Sequence, residues 1–190
     1  MKNICKLALV ACAIAGATQS ASAAQDLTTW TVSGPNSYAS STEVTLSTGD
    51  GSSTTSTAAW GGTDGAILST NVSLYTGSTI SFQWDFKTGD YLPYNDFALF
   101  QIGNQTFNLS SVGAVGDYGD SGTQTFTYTS STAFTGTVGF VVSNYLDNNL
   151  DSDLTISNVN VSSVPESTNV AMMLAGLGLM GVVARRRQSR

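Results

Sequence analysis

Oxygen-bearing side chains recur at alternate positions in one short stretch, Asp147-Asn-Asn-Leu-Asp-Ser-Asp153. Asp147, Asn149, Asp151 and Asp153 make a D-x-N-x-D-x-D run. Calcium is held by several oxygen ligands at once, carboxylates above all, so the run predicts a calcium site. An EF-hand loop would carry Gly at its sixth position and Glu at its twelfth, where this chain has Ser152 and Asn158. The competing reading is therefore a solvated acidic loop entering the last strand. Asp85, Asp90, Asp96, Asp117 and Asp120 are further candidates, by composition, for a composite calcium site between loops.

A second stretch, Asp90-Tyr-Leu-Pro-Tyr-Asn-Asp-Phe97, is dense in rings and acids. Aromatic faces beside polar groups suit a sugar, which has one apolar face and a rim of hydroxyls. Tyr91, Tyr94, Asn95 and Asp96 are the predicted ligand-binding residues. Alternatively, Tyr91 and Tyr94 clamp a turn at Pro93 onto the core. Trp30, Trp60 and Trp84 are candidates for the same stacking role, although Trp84 falls on an alternating apolar face and reads as core.

Other chemistries are excluded by composition. The chain has no histidine, and its two cysteines, Cys5 and Cys12, lie in the first dozen residues. Between residues 25 and 169 there is no thiol, imidazole or guanidinium, which removes a Ser-His-Asp triad, a cysteine nucleophile and a His/Cys zinc centre. That segment carries all thirteen acids and a single basic residue, Lys87, for a formal charge of −12. It cannot neutralise phosphates, so no nucleic-acid partner is expected. Paired carboxylates could run glycoside hydrolysis. Nothing in the sequence separates an acid from a base, and the reading is non-catalytic.

The elements that position these residues follow period two. Ile80, Phe82, Trp84 and Phe86 alternate with polar residues, as do Val138, Phe140 and Val142. Phe126 with Tyr128, Trp30 with Val32, and Val44 with Leu46 mark shorter strands, and Phe97–Ile102 is nearly continuous and reads as central. Leu154 and Ile156 share one parity while Val159 and Val161 share the other, which predicts a bulge near Ser157-Asn158. Turns are expected at Gly49-Asp50-Gly51, Gly61-Gly62, Asp64-Gly65, Gly89-Asp90 and Gly119-Asp120-Ser121-Gly122, and a mobile low-complexity loop over Ser52–Ala59. About eight short strands so punctuated predict an all-β, two-sheet antiparallel sandwich, jelly-roll-like, over residues 25–161.

Both ends read as addresses. Residues 1–24 have a basic start (Lys2, Lys6), an apolar run and Ala21-Ser22-Ala23, the pattern of a signal peptide cut after Ala23 or Ala24. Export would then proceed through the Sec machinery. At the other end, residues 162–169 form a linker, 170–184 an uncharged apolar stretch, and 185–190 a basic tail. The apolar stretch is shorter than the roughly 20 residues of a relaxed span, which flanking residues and bilayer thinning can offset. Arg185, Arg186 and Arg187 would hold the tail inside as a stop-transfer signal.

The tail resembles the PEP-CTERM sorting signal of Gram-negative bacteria. The resemblance rests on Val164-Pro165-Glu166, the Ala175-Gly176-Leu177-Gly178-Leu179 centre, Gly181 and the arginine cluster; Ser167 stands where a second proline is common. It covers Val164 to Arg190 and implies an exosortase partner, passage through the inner membrane, and release to the cell surface or extracellular matrix. Val164, Pro165, Glu166 and Ser167 would be the sorting motif. The combined reading is a surface-sorted, non-catalytic β-sandwich of an exopolysaccharide matrix, as in biofilm or floc. A calcium-dependent carbohydrate-binding adhesin is the alternative, and a glycoside hydrolase acting on matrix polysaccharide comes third.

Overall fold

The structure, a computed structural model, describes residues 21–163, 173–178 and 180. In chain order the strands are β1 (Ala21–Ala24), β2 (Thr31–Ser33), β3 (Asn36–Ala39), β4 (Glu43–Ser47), β5 (Thr55–Ser56) and β6 (Asp64–Leu74). They continue with β7 (Thr79–Thr88), β8 (Phe97–Ile102), β9 (Gln105–Ser111), β10 (Gln124–Thr129), β11 (Phe134–Ser143) and β12 (Ser152–Ser163). One sheet runs β10-β7-β12-β4-β3 with β1 beside β12; the other runs β2-β6-β11-β8-β9 with β5 beside β6. The pairings are antiparallel, so the fold is the two-sheet antiparallel sandwich that the alternation predicts.

Alternation explains the core. Ile80, Phe82 and Phe86 of β7, Val44 and Leu46 of β4, and Leu154 and Ile156 of β12 face Leu68 of β6, Val138, Phe140 and Val142 of β11, and Phe100 and Ile102 of β8. Phe82 is the hinge of the aromatic packing: its ring meets Phe140 edge-on at 4.7 Å and Phe100 at 5.0 Å. Each fully buried apolar side chain of this size contributes about 1.5–3 kcal/mol relative to exposure. Trp30 is also core, stacked on Phe140 at 5.9 Å. Trp84 packs against the same cluster while half-buried.

The parity change in the last strand is a bulge. The register of β12 against β7 shifts between Ser157 and Asn160, and Asn158 there has φ +53°. The extra residue lets Leu154, Ile156 and Val159 all reach the interior. β12 runs on to Ser163, two residues into the expected linker, and pairs over Asn160–Ser163 with β1.

Two local expectations fail. Asp64-Gly65 is no turn but the start of the long strand β6. Gly65 is needed for close approach instead, because a Cβ there would collide with the Val142 carbonyl oxygen of the neighbouring strand. Ser52–Ala59 is not a loose loop. Thr55 and Ser56 form β5, Ser53 Oγ donates to Gly65 O at 2.6 Å, and the hydroxyls of Thr57 and Ser143 lie 2.6 Å apart, both buried. A segment anchored by hydroxyls carries no apolar period and so reads as loop.

Residues 1–20 of the expected signal peptide lie outside the described residues. So do the sorting residues Val164, Pro165, Glu166 and Ser167 and the stop-transfer residues Arg185, Arg186 and Arg187. Within the apolar stretch, residues 173–178 and 180 are helical and exposed. Among the described residues, no helix is long and apolar enough to cross a membrane.

Candidate carbohydrate groove and buried carboxylates

Ala98, Phe100 and Ile102 of β8 point into the core, so Phe97, Leu99 and Gln101 lie on the outer face of the sheet. On β9, Phe107 and Leu109 pack inward and leave Thr106 and Asn108 outside. The segment leading into β6 folds over this face. Its 3-10 turn, Ala58–Trp60, brings the Trp60 indole N–H to donate to Gln101 Oε1 at 3.0 Å. Gln101 Nε2 in turn donates to Gly103 O at 2.7 Å, which fixes the amide at both ends.

Beside Trp60 lie two adjoining depressions of about 500 and 490 Å³, which share Trp60, Leu99 and Thr106. Together they make an open groove. Trp60, Phe97 and Tyr145 supply rings, and Gln101, Asn104, Asn108 and Asn95 supply amides. Among the described residues, no charged side chain lines either part. Asn95 is held at its end of the groove by Gly113 N, which donates to Asn95 Oδ1 at 2.7 Å.

A different chemistry sits at the adjacent end of the sandwich, between the turn after β7 and the loop after β11. Asp96 is fully buried. Its Oδ1 accepts from Tyr145 N at 2.9 Å and its Oδ2 from Ser152 Oγ at 2.7 Å. Burial pushes its carboxyl up to about 7, outweighing those two hydrogen bonds, and the charges of Asp90 and Asp147 push the same way. Asp90 is 1% exposed; its Oδ1 accepts from Tyr91 N at 2.8 Å, and its Oδ2 is buried with no partner among the described residues. Burial, and then the charge of Asp147, raise Asp90 above the usual carboxylate range. Asp147 Oδ2 accepts from Asn149 Nδ2 at 3.1 Å, while Oδ1 is buried and unpartnered.

The structure thus redistributes the residues singled out in the sequence. Tyr91 and Tyr94 meet edge-to-face at 5.5 Å, with Tyr118 5.9 Å from Tyr91, and Tyr94 N donates to Tyr91 O at 2.9 Å across Pro93. They form a ring cluster, with Tyr91 and Tyr118 exposed. Asn95 belongs to the groove and Asp96 to the interior. Of the D-x-N-x-D-x-D run, Asp147 has an oxygen turned inward, whereas Asn149 and Asp151 are exposed. Asp153 lies half-buried on β12 between Ser47 and Lys87 of the flanking strands. Among the described residues, no three acids, cysteines or histidines gather as a ready-made metal cage. Pattern reading missed Gln101, Asn104, Thr106, Asn108 and Tyr145. The available signal was polar residues alternating with the apolar face on two consecutive strands.

Comparison with known proteins adds the following. No curated protein matches the chain in sequence. A solved structure titled "CBM4 structure and function" aligns over 76% of this chain and 96% of its own, with 15% identity and a TM-score of 0.33. Residues 163–188 match the family model described as the PEP-CTERM protein-sorting motif, so the chain carries the C-terminal signal that implies export, processing by an exosortase and sorting to the cell surface.

Proposed function

We propose that this is a non-catalytic surface protein of an extracellular polysaccharide matrix, and that its outer-face groove binds a neutral glycan. The observation that carries this reading is the lining of the groove: three aromatic side chains and a set of amides, with no Asp, Glu, Lys or Arg among the described residues. Rings and amides suit sugar faces and hydroxyls. Hydrolysis would need two carboxylates flanking the bond, which the lining does not supply. The charge of −12 between residues 25 and 169 works against anionic polymers and leaves neutral ones favoured.

Binding is tested by tryptophan fluorescence and affinity electrophoresis of the full chain against neutral and anionic polysaccharides. Retardation by a neutral glycan, lost in Trp60→Ala and kept in Tyr91→Ala, is the expected result. Loss in Tyr91→Ala with retention in Trp60→Ala would move the site to the tyrosine cluster, and release of reducing ends would make the protein a hydrolase. Sorting is tested separately. Replacing Pro165 and Glu166 by Ala is expected to leave uncut protein in the inner membrane, and normal release would overturn that role.

A further inference from the structure

The buried carboxylates carry an inference that does not depend on glycan binding. Every unpartnered buried side-chain atom found among the described residues is an oxygen acceptor: Asp90 Oδ2, Asp147 Oδ1 and Asn144 Oδ1. Two of them belong to carboxylates: the charge of Asp147 acts on Asp90, and both act on Asp96. A buried acceptor without a donor costs about 1–3 kcal/mol, and more when charged. Among the described residues no cation offsets it: Lys87, the one basic residue in this part of the sequence, is 70% exposed and lies against Asp120. Asp96 has both oxygens occupied, so it supplies no ligating atom.

We propose that calcium binds between the turn after β7 and the loop after β11, held by Asp90 Oδ2 and Asp147 Oδ1. The donor set is oxygen only, which is calcium's preference. Calcium's flexible shell of six to eight ligands can be completed by main-chain oxygen and water around two carboxylates placed by the fold, whereas magnesium demands near-ideal octahedral geometry. So few charged ligands place the affinity in the range of extracellular modules, about 10⁻⁴–10⁻³ M. The ion ties the turn that carries Tyr91 to the loop that carries Tyr145 and so braces one end of the groove. The site differs from the D-x-N-x-D-x-D run: it shares Asp147 and replaces Asn149, Asp151 and Asp153 with Asp90.

Isothermal titration of the full-length chain in mild detergent with CaCl₂, at constant ionic strength, tests the assignment without any variant. One saturable site in the stated range is expected, with MgCl₂ at least tenfold weaker. The melting midpoint should rise by several degrees at 10 mM calcium. Asp90→Asn and Asp147→Asn should each abolish the titration and the shift, while Asp151→Asn and Asp153→Asn leave both. Absence of saturable binding in the wild type would mean that water satisfies the two oxygens and would overturn the proposal. Loss in Asp151→Asn with retention in Asp90→Asn would overturn it in favour of the acidic run.

Discussion

Two groups of carboxylates in this sandwich have similar company and opposite circumstances. Asp85 and Asp120 lie near each other on one side of the domain, and Asp90, Asp96 and Asp147 near one another at the end. On the first side Lys87 Nζ is 3.7 Å from Asp120 Oδ2 with both side chains largely exposed, and Gly122 N donates to Asp120 Oδ1 at 2.7 Å. That backbone hydrogen bond holds Asp120 below the ordinary carboxylate range, while partial burial and its neighbour raise Asp85. At the end of the domain, burial, with the charges of Asp90 and Asp147 adding to it, lifts Asp96 into the neutral range against two good hydrogen bonds. Like-charge proximity is common to both groups. Access to water decides what it costs, because the more deeply buried group loses more of the solvent that would screen it.

The largest effect should come from removing the centre of the buried group. Asp96→Ala strips the acceptor from Tyr145 N and Ser152 Oγ inside the protein and leaves a cavity, a loss of about 3 kcal/mol. Asp96→Asn keeps an acceptor and discards the charge, so at pH 7.5 without calcium it should equal or exceed the wild type. Urea denaturation of the three proteins in EDTA decides the matter. Equal destabilisation by Ala and Asn would mean that the charge itself is needed, and the account of a desolvated carboxylate would fail.

Next comes pH. The folded pKa of Asp96, about 7, lies above its unfolded value, so the native state holds the extra proton. Its contribution is complete below the unfolded pKa, near 4, and is lost as pH rises toward 7. In EDTA, stability should therefore fall by a few kcal/mol between pH 4.5 and 7.5, with Asp90 adding in the same direction. Asp96→Asn should flatten that slope. The exposed Asp120 has the opposite sign: its depressed pKa acts only as pH falls below about 4. A wild-type slope that rises from pH 4.5 to 7.5 would reverse the roles of the two groups.

How much of this was legible beforehand differs between the same regions. The core strands were readable because Ile80, Phe82 and Phe86 repeat with the pleat, and the β12 bulge because Leu154 and Val159 break that repeat. The sorting tail was readable because its three parts are contiguous. The groove was not, because Gln101 and Thr106 matter only once β8 and β9 pair and Trp60 is folded over them. The buried acids were hidden for a related reason. Asp90 and Asp147 stand 57 positions apart, and no local pattern says that both turn inward. The D-x-N-x-D-x-D spacing pointed at neighbours in sequence, whereas strand entry at Ser152 separates Asp153 from Asp147.

Ser152→Ala grades the comparison more finely. It removes one hydroxyl donor from Asp96 Oδ2 and one partner from Thr88 Oγ1, at 2.7 and 2.8 Å. A loss of about 1–2 kcal/mol is expected at pH 7.5, below that of Asp96→Ala. The Asp96 carboxyl should also move further up, read by its side-chain carbon shift in an NMR titration. No movement of that shift would mean that the hydroxyl serves Thr88 rather than the carboxylate.

The smallest effect belongs to Lys87. It is the domain's one lysine, but both it and its partner are exposed and the pair is screened by solvent, so Lys87→Ala should leave the unfolding midpoint within error. Its charge still reaches the carboxylates around it. Lys87 lowers Asp85 and Asp153 as well as Asp120, and it does not act on Asp96. In the variant the Asp85 titration should move upward while that of Asp96 stays fixed. If Asp96 moved as far as Asp85, the two carboxylate groups would form one electrostatic unit, and solvent access could no longer explain why they differ.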